Sequence, residues 1–160
     1  MRRILEANPV FPRSMVKEPV YRASHRQGLQ SRSDGAFYFA DEPKTSSFGK
    51  FVIKAWIDIQ NPFLLLRGQI EDVVAMMPYD HVEKMAMEDE DFDPDFDEPQ
   101  DWLIDQMDEG TWQLHQEPVA QGIIKQLGYD GVISSDSFGG YTEYVVFSED
   151  QISIIEEVEM

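Results

Sequence analysis

Gly35-Ala36-Phe37-Tyr38-Phe39-Ala40-Asp41-Glu42-Pro43 reads as a short apolar strand that runs into a polar turn. Two other stretches share its character. Val20-Tyr21-Arg22-Ala23-Ser24 lies upstream, and Thr142-Glu143-Tyr144-Val145-Val146-Phe147 lies near the end. Each is rich in aromatic and β-branched residues, the composition of strands. Each also carries one polar or ionisable side chain. Such a group either faces water or is held inside for a reason. The three strands are expected to line one pocket.

Working outward, His25 to Asp34 is polar, contains a glycine and reads as the loop between the first two strands. Residues 1–19 hold three prolines, Pro9, Pro12 and Pro19, and read as an extended entry segment. Thr45 to Lys50 is expected to form a short helical turn ended by Gly49. Phe51 to Ile59 alternates: Phe51, Ile53, Ala55, Ile57 and Ile59 take one face, and Val52, Lys54, Trp56 and Asp58 the other. That pattern predicts a half-buried strand, stopped at Asn61-Pro62.

The middle of the chain is helical by pattern. Ile70, Val73, Val74 and Met77 fall on one helix face, and Pro78 interrupts the run before a second piece from Val82 to Met87. Asp101 to Met107 is expected to form a helical turn or two anchored by Trp102, Leu103 and Met107. Pro118 to Leu127 carries Val119, Ile123, Ile124 and Leu127 on one stripe, with Pro118 suited to a first turn and Gly128 to a stop. Val132-Ile133, Tyr141–Phe147 and Gln151–Ile155 then read as strands, with the glycine-rich loop 136–140 between the first two. Strands, then helices, then strands predict an α+β fold with two antiparallel sheets.

Composition narrows the function. The chain has 160 residues, no cysteine, and 31 acidic against 13 basic side chains, for a net charge of −18. One domain is expected from the length. A disulfide or cysteine-ligated metal is excluded. His25, His81 and His115 have no paired spacing, so no metal site is expected. The charge argues against direct nucleic-acid binding or an anionic membrane. No membrane span or signal peptide is expected, and the location expected is the cytoplasm. Basic residues gather early, at Arg2, Arg3, Arg13, Lys17, Arg22, Arg26 and Arg32, where an anionic small molecule would bind. Acid gathers from Glu88 to Glu109. The run Glu88–Glu98 lacks the glycine of a calcium loop and is expected to be a mobile, solvated loop.

Together these residues resemble ADP-ribosyltransferases of the poly(ADP-ribose) polymerase and diphtheria-toxin-like branch. Phe37-Tyr38-Phe39-Ala40-Asp41 with Lys44-Thr45-Ser46-Ser47-Phe48-Gly49 is similar to that branch's second motif. Val20–Ser24 stands where the first motif lies, and Thr142–Phe147 where the catalytic glutamate strand lies. The run Leu127-Gly128-Tyr129-Asp130-Gly131-Val132-Ile133, followed by Glu143-Tyr144-Val145-Val146-Phe147, resembles the small transferase domains of polyvalent proteins in phages and mobile elements. The resemblance covers about residues 18–64 and 117–156. Arg22 stands where this branch carries histidine, and Ala23 where glycine is common, so the chain reads as an Arg-Tyr-Glu variant. Tyr141 stands where arginine-directed relatives carry a second glutamate, which argues against arginine as acceptor.

The resemblance implies a split β-sheet sandwich, a single domain over 1–160, and an acidic helical or loop insertion at about 65–116. It implies mono-ADP-ribosyl transfer from NAD, the substrate, to a host protein or nucleic acid, with Glu143 catalytic. It implies that Arg22, Ala23, Ser24, Phe37, Tyr38, Ser46, Ser47 and Phe48 bind the dinucleotide. A carboxylate beside the ribose would stabilise the positive charge that develops as the nicotinamide bond breaks. A guanidinium at Arg22 suits a ribose or a pyrophosphate. Each residue also has a plain reading: Glu143 as a water-facing residue of an edge strand, Arg22 as a surface ion pair, Tyr38 as core, and Ser46 and Ser47 as turn residues. Two alternative functions compete. One is an acidic, non-catalytic binder that mimics nucleic acid and blocks a basic host protein. The other is NAD hydrolysis with water as nucleophile.

Overall fold

The computed structural model describes residues 8–32, 34–43, 49–108, 114–135 and 141–160. The fold is α+β, with seven strands and four α-helices among the described residues. The chain forms two compact units. One is Met1–Pro62 with Asp130–Met160, and the other is Phe63–Tyr129.

The first unit is built on strands β1 (Val20–Ser24), β2 (Phe37–Ala40), β3 (Phe51–Ile57), β4 (Pro62–Phe63, at the boundary), β5 (Gly131–Ser134), β6 (Glu143–Val146) and β7 (Ile152–Glu159). The sheet order is β4-β5-β6-β2-β1-β3-β7. The two sheets expected from the sequence are thus two halves of one sheet. β2 pairs with β6 over four residues, and β1 with β3 over five, but β1 and β2 share only the pair Tyr21 and Ala40. The sheet is nearly split between β1 and β2.

One face of these strands is sealed by Val16, Val20, Phe37, Phe39, Ile53, Ala55, Ile57, Ile59 and Val146. The alternation along β3 follows the expected inward face. Val52, placed on the outer face by pattern, is buried as well, because it sits between Ala23 of β1 and Val158 of β7. The entry segment is not simply extended. Asn8 and Ser14 are fully buried and cap the end of β3: Asn8 Nδ2 and Ser14 Oγ both donate to the Ile57 carbonyl. Gln151 staples the same end of β3. Its Nε2 donates to the carbonyls of Asp58 (2.8 Å) and Asp130 (2.6 Å), and its Oε1 accepts from the backbone N–H groups of Phe147 and Ser148. The last strand is longer than expected and runs to Glu159.

The second unit holds helices α1 (Arg67–Met76), α2 (Tyr79–Met87), α3 (Pro99–Asp108) and α4 (Pro118–Gln126). α1 buries Ile70, Val73 and Val74, the spacing read in the sequence, and Pro78 separates it from α2. α3 packs against α1 and α2 through Trp102, Leu103 and Met107. α4 starts at a Glu117 cap, whose Oε2 accepts from Ala120 N at 2.7 Å. It buries Ala120, Gln121, Ile123 and Ile124, but Leu127 is exposed. The helix ends one residue before Leu127, and Gly128 at φ +96 turns the chain away, so the stripe does not reach it.

The acidic run folds as linked turns rather than as a featureless loop. Asp89, Asp93 and Glu98 each accept a backbone N–H within their own turn, from Asp91, Asp95 and Asp101. Phe92 is buried and meets Trp102 edge-to-face at 5.4 Å, which ties the turns to α3. The turn 45–48 and the loop 136–140 lie outside the described residues. Among the described residues no helix is long and apolar enough to cross a membrane.

Candidate functional site

Strand alternation fixes which side chains meet. Tyr21 faces Ala40 across β1 and β2, Ala40 faces Glu143 across β2 and β6, and Glu143 faces Ser134 across β6 and β5. Tyr21, Ala40, Glu143 and Ser134 therefore stand in one row on one side of the sheet. Tyr38, two residues from Ala40, shares that side and lies diagonal to Glu143. Phe37 alternates away and packs into the hydrophobic cluster.

A cavity of about 350 Å³ opens where β1 and β2 part. Its wall includes Tyr21, Arg22, Ala23, Ser24, Tyr38 and Glu143, so the three strands singled out in the sequence do line one cavity. It also includes Arg26 and Arg32 of the early basic cluster, and His25, Glu42 and Tyr141, which the sequence did not point to.

Glu143 is only 5% exposed. β6 lies between β5 and β2, so Glu143 is not a water-facing residue of an edge strand. Burying a carboxylate is costly, and the fold spends that cost at a cavity wall.

Arg22 is on β1, half-buried, and its Nη1 donates to the Tyr38 carbonyl oxygen on β2 at 3.2 Å. The guanidinium thus bridges the two strands beyond the last paired residues, where the ladder has opened. Its Nε is enclosed and has no hydrogen-bond partner among the described residues. Burial, and then the charge of Arg32, lower its pKa from the ordinary arginine value. Among the described residues no carboxylate forms an ion pair with Arg22.

The loop from β1 to β2 is shaped by its own side chains. Ser24 Oγ accepts from Arg26 N and donates to the Arg26 carbonyl, both at 3.0 Å, so its hydroxyl serves a local turn. Asp34 Oδ1 accepts from Ala36 N, Gly35 takes φ +83, and Arg32 is bonded at both ends of the turn. That turn lays the Arg32 guanidinium over the Tyr38 ring at 3.9 Å. The Tyr38 hydroxyl donates to Asp34 Oδ2 at 3.1 Å. Burial above all, then Asp34, raise the Tyr38 pKa well beyond the ordinary tyrosine value, so the phenol stays neutral.

Gly49 closes the far end of β1. A side chain there would run into the Ser24 carbonyl group, and the residue sits at φ +123, which glycine alone tolerates well. Ser46, Ser47 and Phe48 fall outside the described residues. Among the described residues no three metal-ligating side chains converge.

The cavity therefore offers a buried carboxylate, a neutral aromatic and three arginines in its wall. That set can hold an anionic small molecule with an aromatic ring and stabilise a positive charge at the carboxylate. No protein-family description matches the chain, and no curated protein matches it. One solved structure, "Crystal structure of an anti-CRISPR protein", is similar in backbone course at 14% sequence identity and a TM-score of 0.43. The match covers 88% of this chain and 94% of that one.

Proposed function

We propose that this chain cleaves NAD at the bond between nicotinamide and ribose and transfers ADP-ribose to a macromolecular acceptor. The observation that carries the reading is buried Glu143, set diagonal to Tyr38 at an arginine-lined cavity in the opened sheet. Nicotinamide takes the place of the Arg32 guanidinium over the Tyr38 ring, and the ribose lies against Glu143. The glycosidic C–N bond breaks with its electron pair leaving on nicotinamide, which neutralises the pyridinium. Positive charge then develops on the ribose, and the Glu143 carboxylate stabilises it more in the transition state than in the bound substrate. The acceptor attacks the anomeric carbon and loses a proton.

The cavity volume of about 350 Å³ is at the low end for small-molecule sites. It accommodates one half of the dinucleotide. The pyrophosphate then lies at the mouth, where Arg26 and Arg32 are exposed. Guanidinium forks suit that group.

The test is nicotinamide release from NAD labelled on the nicotinamide ring, with a second label on the adenylate to follow transfer. Release and labelling of a host-lysate acceptor should both be lost in Glu143→Gln. Retained transfer in that variant would remove Glu143 from the chemistry. Release without labelling would indicate water as the nucleophile, and hence a hydrolase.

A further inference from the structure

The second unit carries a surface that NAD chemistry does not use. Phe63–Tyr129 holds 17 of the 31 acidic side chains but 3 of the 13 basic ones, so −14 of the net −18 resides there. Such a charge repels nucleic acid, anionic lipid and a second copy of the same surface.

Within that unit a groove of about 370 Å³ lies beside α2 and the acidic turns. Tyr79 and Met87 of α2 and Phe96 of the turns line it. All three are apolar or aromatic and open to water, and Phe96 is 87% exposed. Phe96 is not a fraying residue. The N–H groups of Phe96 and Asp97 both donate to the Asp93 carbonyl, and neighbouring Phe92 is buried against Trp102. The turn holds a phenylalanine out into solvent. Glu83, Asp95 and Asp97 stand in the same wall.

Aromatic faces among carboxylates select one chemistry. A cation gains from both the ring faces and the carboxylates, and its aliphatic stem covers the apolar floor. We propose that this groove docks a cationic amphipathic polypeptide segment, one that presents arginine or lysine alternating with apolar side chains. Phe96 and Tyr79 act as its anchors, and the carboxylates set the sign of the partner and speed its approach. The proposal does not depend on NAD turnover.

The experiment is fluorescence anisotropy without NAD, using the full chain and a labelled short peptide that alternates arginine and leucine. Binding should be saturable and should weaken steeply as salt rises. Phe96→Ser with Tyr79→Ser should weaken it about tenfold or more, the scale of lost aromatic anchors. Glu83→Gln, Asp95→Asn and Asp97→Asn together should weaken it by a similar factor. A control that removes as much charge from the first unit, Glu149→Gln, Asp150→Asn and Glu156→Gln, should leave binding within about twofold. Three results overturn the proposal: no binding by the wild-type chain, unchanged binding in the Phe96/Tyr79 variant, or an equal loss in the first-unit control. The last two would mean attraction to bulk negative charge. All these positions but half-buried Asp97 are exposed, and Asp97→Asn keeps an oxygen to accept from Asp93 N, so fold loss should not confuse the result; nicotinamide release, measured separately, is untouched by any of the three.

Discussion

Replacing Arg22 with methionine should cost little stability and much NAD affinity. Among the described residues the guanidinium makes one hydrogen bond, to the Tyr38 carbonyl at 3.2 Å. Bonds from a charged donor contribute about 1.5–3 kcal/mol. Against this stand the enclosed Nε, without a partner among the described residues, and the burial that lowers the arginine pKa, both of which cost energy in the folded state. Methionine fills similar volume and removes the cost along with the bond. The net loss should be about 1 kcal/mol, which for a chain of this size lowers Tm by about 2–4 °C. If the guanidinium instead serves an anionic ligand, NAD affinity should fall about tenfold or more, as for a truncated charged contact. Scanning calorimetry gives the first number and isothermal titration the second. A Tm loss beyond about 8 °C with NAD affinity intact would refute the reasoning. Arg22 would then be a structural staple of the split sheet and no part of the site.

Three further outcomes follow from the packing. Tyr38 and Tyr144 both have pKa values raised by burial above the ordinary 10.0, so their contribution to stability is fully present below pH 10 and is lost as pH rises beyond it. Thermal melts from neutral to alkaline pH should show that loss, and Tyr38→Phe should flatten it; an unchanged slope would exclude Tyr38 as a cause. Gly131→Ala should destabilise by about 1–3 kcal/mol in urea titrations, since its Cβ would meet the Val145 carbonyl oxygen at 2.7 Å and Ile59 at 2.8 Å. Gln151→Ala removes four hydrogen bonds that join three segments and should cost about 2 kcal/mol or more by the same titration, with a cost near zero counting against the staple.

The strands were legible because their alternation is a local property. Ile53, Ala55 and Ile57 declare the inner face of β3 without any knowledge of its neighbours. The joining of the strands into one sheet was not legible. It depends on the Tyr21–Ala40 pair and on β6 lying beside β2, contacts between residues far apart in sequence. Glu143, Tyr38 and Arg22 stood out as polar or aromatic side chains within apolar strands, and all three line the cavity. Arg26 and Arg32 were legible only as part of the early basic cluster and not as site residues, because an arginine in a polar loop looks the same whether it faces water or a cavity. The turn at Asp34-Gly35 was the available signal: a tight reversal just before β2 returns the loop over Tyr38. Tyr21 was passed over as a flank of Arg22, although its register places it in the same row as Glu143. The acidic run misled as to its structure because like charges so dense suggested a mobile loop. Phe92 and the backbone N–H groups that bond its carboxylates fold it into turns.

The most direct test is a crystal structure of the chain with a non-hydrolysable NAD analogue. The anomeric carbon of the nicotinamide ribose should lie within roughly 4 Å of the Glu143 carboxylate, the reach of a group acting on the reacting atom. The nicotinamide ring should stack on Tyr38, with the pyrophosphate near the arginines. A dinucleotide bound with its adenine at Glu143, bound elsewhere, or not bound at all, would contradict the account.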